Sequence, residues 1–154
     1  MKRFFVTLIL TVAIIGSLYA ANEVTVSTFL KVSKDNFELT RSVSNLRRDK
    51  FGDSSDSAIQ NIGTNAHEQL VISADVATNG WAYFRNVNTN VDYNVDVGVQ
   101  DSNSAFIAFM RLEPGDTAVM RLTPVQDFYA KGVTSVTNTG INVSINLDYW
   151  VNED

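Results

Sequence analysis

Apolar and polar residues alternate with a period of two along most of this chain after residue 23. The alternation is clearest at 24–32, 91–99 and 141–149, where mostly aliphatic residues occupy every second position. Because successive side chains of a strand point to opposite faces, each stretch predicts a strand with one buried and one polar face. No window after residue 21 has a convincing 3.6-residue period, so the pattern predicts strands throughout.

Turn residues divide the predicted strands into hairpins. The turn at 34–36 joins the first stretch to a second alternating stretch at 37–43. Pro114 and Gly115 separate apolar arms at 106–112 and 117–122, and this pair suits a type II turn. The first arm is apolar on both faces, so we predict that these arms form the buried core hairpin. Further strands are predicted at 58–63, 69–76 and 81–87.

The spacing of strands and turns predicts an all-β fold. Strands recur about every ten residues with turn signals between them, which is typical of sandwiches and barrels. We predict a single antiparallel β-sandwich, jelly-roll-like, of about eight to ten strands. The chain of 154 residues, 45% of them hydrophobic, suits one domain with a sizeable core.

The N-terminus has the order of a secretory signal peptide. Lys2 and Arg3 precede an almost wholly apolar run from residue 4 to 15, and small residues follow it. We predict signal residues 1–20, with cleavage after Ala20 or Ala21, and a β-sandwich domain at 21–154. An uncleaved membrane anchor is the alternative, because the apolar stretch of about 18 residues from Phe4 to Ala21 lies near the lower limit for spanning a bilayer.

Composition excludes several kinds of chemistry. The chain has no cysteine, which rules out disulfides, zinc-thiolate sites, iron–sulfur clusters and thiol nucleophiles. Its formal net charge is −5 and its basic residues are scattered, so nucleic acid is a poor partner. His67 is the single histidine, and no Gly-x-Ser-x-Gly motif accompanies it, so we predict a polar turn residue there. We expect no catalytic residues, no cofactor and no resident metal, and hence no enzyme.

Two groups of carboxylates are open to a binding role. Asp49, Asp53 and Asp56 lie in a polar loop whose spacing does not match an EF-hand, so a solvated loop is favoured over a cation site. Asp92, Asn94 and Asp96 share the polar side of one predicted strand, and Trp150 breaks the alternation of the last strand. These four residues, Asp92, Asn94, Asp96 and Trp150, are the predicted interface or ligand face, although the wet face of a sandwich has the same pattern.

Five stretches resemble small β-rich structural proteins of tailed bacteriophages and related environmental viruses. They are IQNIGT at 59–64, GWAYFRNV at 80–87, FMRLEPGD at 109–116, FYAK at 128–131 and INLDYW at 145–150. The resemblance covers roughly the last two-thirds of the chain and implies a β-sandwich that assembles with copies of itself or docks on a particle. The leader departs from that group, because a virion protein assembled in the cytoplasm needs no signal peptide.

The sequence therefore favours a non-enzymatic, exported structural protein that self-associates or coats a particle, filament or surface. Its edge strands offer unpaired backbone groups, and the N-terminal strand is the best candidate for exchange with a partner. The alternative is a secreted carbohydrate- or surface-binding module. The expected location is secreted, cell-surface or periplasmic after cleavage, with the virion as the alternative; a membrane is expected as partner only if residues 1–20 are retained.

Overall fold

A computed structural model of the chain describes residues 24–34, 37–48, 52, 54–123, 127–134 and 143–153. These residues form ten strands, and no helix among them is long and apolar enough to cross a membrane. The signal segment predicted at 1–20 lies outside the described residues. The strands are β1 Val24–Lys34, β2 Phe37–Arg48, β3 Ser55–Gly63, β4 Glu68–Gln69, β5 Asn79–Asn86, β6 Tyr93–Gln100, β7 Phe106–Leu112, β8 Thr117–Arg121, β9 Tyr129–Thr134 and β10 Ser144–Glu153.

The strands belong to two compact units of the chain, Met1–Phe51 and Gly52–Asp154. The first unit contains the N-terminal hairpin, in which β1 and β2 pair antiparallel as a two-stranded sheet. The second contains the other eight strands in two four-stranded antiparallel sheets. The all-β prediction and the predicted hairpin around residues 34–36 are both confirmed.

A β-bulge keeps the apolar side chains of the N-terminal hairpin on one face. Val26 pairs with Leu46 and Thr28 pairs with Val43, so β2 has one residue more than β1 between these pairs. Asn45 takes up the extra residue with a positive φ of 56°, a conformation that asparagine tolerates better than most residues. Without the bulge, Leu46 would lie on the opposite face from Val43.

The eight later strands form a jelly roll. β3 pairs with β10, β4 with β9, β5 with β8 and β6 with β7, as in one long hairpin whose two legs run side by side. These pairs alternate between two sheets, sheet I with the order β3-β10-β5-β8 and sheet II with the order β4-β9-β6-β7. This is the two-sheet, eight-strand arrangement of a jelly roll, so the predicted fold class is confirmed.

The core lies between the inner faces of the two sheets. β10 runs through the middle of sheet I and buries every second residue completely: Ile145, Leu147, Tyr149 and Val151. Phe84 of β5 joins them, and Val95 and Val97 of β6 face them from sheet II. Fully burying a large apolar side chain contributes about 1.5–3 kcal/mol, so each of these alternating positions stabilises the jelly roll.

The predicted core hairpin at 106–122 is wrong, although its turn is right. Gly115 has a φ of 86°, and the amide of Asp116 donates to the carbonyl of Glu113 at 2.9 Å. However, β7 belongs to sheet II and β8 to sheet I, and each is an edge strand. The turn sequence specifies a reversal of the chain but not the sheet that the next strand joins. Because β7 lies at the edge of sheet II, its apolar residues are not all buried, and Ile107 and Phe109 are exposed.

Two other predicted strands are shorter than expected. β6 begins at Tyr93, so Val91 and Asp92 lie in the preceding turn, where Val91 is 81% exposed. The strand predicted at 69–76 is reduced to Glu68–Gln69. Residues 70–78 form a loop instead. Side chains of Gln60, Asp56 and Glu153 accept hydrogen bonds from backbone amides of this loop, in place of a neighbouring strand.

A fully buried asparagine joins the two sheets. Asn86 ends β5 in sheet I, and its amide nitrogen donates to the carbonyls of Tyr93 at 2.7 Å and Leu112 at 3.1 Å, both in sheet II. Its side-chain oxygen accepts hydrogen bonds from the backbone and side chain of Asn88 at 3.1 and 2.6 Å. Its backbone also bonds Gly115 and Asp116 in the turn between β7 and β8.

We expect Asn86→Leu to destabilise the jelly roll by about 2–4 kcal/mol, because two buried carbonyls lose their donor and the fully buried site must admit a larger side chain. Urea unfolding measures this as a lower midpoint with an unchanged m-value. Asn65→Leu is the matched control at an exposed position and should change the free energy of unfolding by no more than about 0.5 kcal/mol. Equal stability of the two variants would contradict the structural role given to Asn86.

Candidate functional site

The four residues predicted as one interface or ligand face lie on two different sheets. Asn94 and Asp96 are on the outer face of β6 in sheet II, and Asp92 lies in the turn before them. Trp150 is on the outer face of β10 in sheet I. Because the two sheets stack face to face about 10 Å apart, their outer faces point away from each other. The structure therefore does not bring Trp150 together with the other three.

Asp96 forms an ion pair within sheet II. Arg111 lies directly opposite it on β7, and its Nε and Nη2 atoms donate to the two carboxylate oxygens of Asp96 at 2.6 and 2.9 Å. The Asp96 side chain is 12% exposed and that of Arg111 56% exposed. The hydrogen bond to Asp96, and then its charge, raise the pKa of Arg111 above its usual value. This carboxylate is thus engaged in cross-strand pairing.

Trp150 belongs to a cross-strand row on the outer face of sheet I. Ser57 and Tyr83 lie directly opposite it on the two neighbouring strands, and Val119 continues the row on β8. Trp150 is 38% exposed and Val119 is 44% exposed. The alternation of β10 predicted the outward position of Trp150 correctly. The row is a flat, partly apolar surface.

The loop carboxylates give no described cation site. Asp49 and Asp53 lie outside the described residues. Asp56 lies on β3 and accepts a hydrogen bond from the backbone of Ser73 at 2.7 Å. Among the residues that the structure describes, no group of three His, Asp or Glu side chains could hold a metal ion.

His67 lies in the connection between β3 and β4, as predicted, and its ring packs in an aromatic cluster over sheet II. Its ring stacks on Phe106 with centroids 5.3 Å apart and meets Tyr129 edge-on at 5.6 Å. Its Nε2 atom is 2.6 Å from the side-chain nitrogen of Gln100. The cluster covers Gly98, where a Cβ would collide with the carbonyl oxygen of Ile107. These contacts assign His67 a packing role.

A pocket of about 340 Å³ opens at one end of the jelly roll, and we call it the loop pocket. Its walls come from the loop at 70–78 and from Asp127 and Phe128, which precede β9. Ile72 and Phe128 provide apolar wall, and Asp127 is an exposed carboxylate on the lining. Sequence reasoning missed this pocket because it had placed a strand at 69–76.

Specific hydrogen bonds hold the loop that forms the pocket. The hydroxyl of Tyr149, in the core, donates to the carbonyl of Val71 at 2.7 Å. The side-chain amide of Gln60 accepts from the amide of Val71 and donates to the carbonyl of Gln69. Glu153 accepts from the backbone of Ala77 at 3.3 Å. The loop pocket is therefore a built feature with anchored walls.

One face of the N-terminal hairpin is an exposed apolar surface, and we call it the hairpin face. Leu30 is 55% exposed, Val32 41% and Val43 52%. The pairing register places them on the same side as four partly buried residues, Val24, Val26, Leu39 and Leu46. The opposite face carries Phe29 and polar residues, including an exposed ion pair between Lys31 and Glu38 at 3.1 Å.

The two units of the chain carry opposite net charges. In the first unit, residues 21–51 contain six basic and four acidic residues, whereas residues 52–154 contain four basic and thirteen acidic residues. Several of the acidic residues lie at the end of the jelly roll that holds the loop pocket, among them the exposed Asp75 and Asp127. The overall charge of −5 conceals this asymmetry, which sequence reasoning had not drawn out.

Comparison with known proteins adds no relative to this picture. No protein-family model matches the chain, and no curated protein matches it. The class of protein is thus defined by the fold, a jelly-roll β-sandwich with an N-terminal β-hairpin.

Burial raises the pKa of the Tyr149 phenol, and the charge of Asp56 raises it further. Above about pH 10 the unfolded chain loses this proton while the folded chain keeps it, so stability falls by up to about 1.4 kcal/mol per pH unit. At neutral pH, the free energy of unfolding of wild type should exceed that of Tyr149→Phe by about 1 kcal/mol, because the variant lacks the hydrogen bond to Val71. Urea unfolding across this range should show the gap narrowing above about pH 10; a constant gap would contradict the argument.

Proposed function

We propose that this chain is a non-enzymatic, exported structural protein whose jelly roll assembles with further copies or coats a particle or surface. The hairpin face is the observation that carries the proposal. An isolated two-stranded hairpin is at best marginally stable in water, and it needs another layer over its apolar side to gain stability. Leu30, Val32 and Val43 are more exposed than such residues are in a finished core.

The edges of the jelly roll support the same proposal. β7 is an edge strand of seven residues with Ile107 and Phe109 52% and 43% exposed. An exposed apolar edge with unpaired backbone groups is a template for pairing with another chain. Jelly rolls also occur in viral capsid proteins and lectins, which is a fold-level analogy in keeping with the virion resemblance of the sequence.

We expect Val43→Asp to abolish self-association, because it places a charge in the apolar layer that a partner would cover. Sedimentation velocity over a concentration series measures the loss. Ser42→Asp adds the same charge on the opposite face of the hairpin and is the matched control, with association expected to be unchanged. A wild-type chain that stays monomeric at high concentration would contradict the proposal.

Export is part of the proposal and has its own test. We expect the intact mass of protein from its native source to correspond to a chain that begins at Ala21 or Asn22, because the small residues at 20 and 21 suit signal cleavage. The cell, supernatant and dense-particle fractions should be measured separately. A cleaved chain in sedimenting particles or fibres supports assembly outside the cell. A chain beginning at Met1 in the membrane fraction would make it an anchored surface domain.

A further inference from the structure

The hairpin face combines an apolar side chain with a cation at one position of its register. Leu30 and Arg41 lie directly opposite each other on β1 and β2, so their side chains share this face. Both are exposed, and Leu30 is 55% exposed. A partner for this pair must offer an apolar cavity with negative charge beside it.

The loop pocket offers that chemistry on the other unit of the chain. Its volume of about 340 Å³ leaves room for an aliphatic side chain, and Ile72 and Phe128 supply apolar wall. Asp127 lines it, and Asp75 lies in the loop that forms its other wall; both carboxylates are exposed. The loop pocket therefore offers the Leu30–Arg41 pair sufficient volume, some apolar wall and negative charge.

We propose that the hairpin face of one copy docks on the loop pocket of a second copy, with Leu30 in the pocket and Arg41 beside Asp75 and Asp127. This inference rests on the self-assembly proposed above and names its contact. Since the donor and acceptor surfaces differ, the contact is heterologous and repeats head to tail, giving a closed ring or an open filament.

Charge decides between this contact and the packing of two hairpins on each other. Two hairpin units of the exported chain would bring together segments that each carry two net positive charges, whereas the jelly roll carries nine net negative charges. Opposite charges attract over about 10 Å at an ionic strength of 0.1 M, and like charges repel over the same range. Charge therefore favours a contact between the hairpin of one copy and the jelly roll of the second copy.

The size of the contact sets its strength. Eleven residues of β1 at about 3.3 Å each make a face about 35 Å long, and two strands make it about 10 Å wide. Covering it buries about 700 Å² over both partners, less than the roughly 1,200 Å² of a stable interface. Each single contact is therefore weak, and assembly should depend strongly on protein concentration.

The test begins with the full chain, as exported, in sedimentation velocity at low and high ionic strength. Raising ionic strength from about 0.01 M to about 1 M shortens the Debye length from about 30 Å to about 3 Å and should weaken association. Arg41→Glu should weaken it about tenfold or more at low salt, the effect of losing an interfacial charge pair. Lys31→Glu makes the same charge change on the opposite hairpin face and should have little effect.

A charge swap tests whether Arg41 and Asp127 meet in the contact. Asp127→Arg alone should weaken association as Arg41→Glu does, whereas an equimolar mixture of the two variants should assemble at close to wild-type concentration. In that mixture each hairpin meets a pocket of opposite charge. Failure of the mixture to assemble, or equal effects of Arg41→Glu and Lys31→Glu, would overturn this contact. If the contact is overturned in this way but wild type self-associates, the proposed self-assembly stands. A wild type that stays monomeric would overturn both the proposed self-assembly and this contact.

Discussion

The jelly roll depends on one buried amide, because Asn86 ties both sheets and two chain reversals to a single side chain and its backbone. Its side chain bonds the carbonyls of Tyr93 and Leu112, and its backbone bonds Gly115 and Asp116. These groups lie where β5 leads into β6 and β7 leads into β8, two of the connections that cross between the sheets at this end. A buried polar group with satisfied bonds fixes one arrangement, since any shift of the sheets would leave several groups unpaired.

At the other end of the jelly roll, hydrogen bonds hold the loop at 70–78, which connects β4 to β5. Gln60 imitates a strand partner for residues 69–71, and the Tyr149 hydroxyl reaches the same segment from the core. The loop pocket follows from this anchoring, because a loop held by its backbone groups leaves a cavity beside it. Tyr149 therefore links the core to the loop pocket, because its ring packs in the core and its hydroxyl holds the loop.

Strong local patterns made much of the fold predictable. The alternation of β10, the inward valines at 95 and 97, and the positive φ at Gly115 were all readable from residue type and spacing. The separation of β7 from β8 was not, because turn chemistry is local and sheet membership depends on the whole topology. For the same reason the sequence grouped Trp150 with Asp96, and neither the loop pocket nor the role of Gln60 had a local signal.

The charge distribution bears on the proposed self-assembly of a chain with exposed apolar edges. The edge strand β7 exposes Ile107 and Phe109, and indiscriminate pairing of such edges leads to aggregation. The net negative charge of the jelly roll disfavours pairing between the edges of two jelly rolls by mutual repulsion, and this leaves β7 as a template for a segment of less negative charge. A basic hairpin escapes that repulsion. In the contact proposed above, the same charge that keeps jelly rolls apart would attract the hairpin, so the order of contacts would follow from the distribution of charge along the chain.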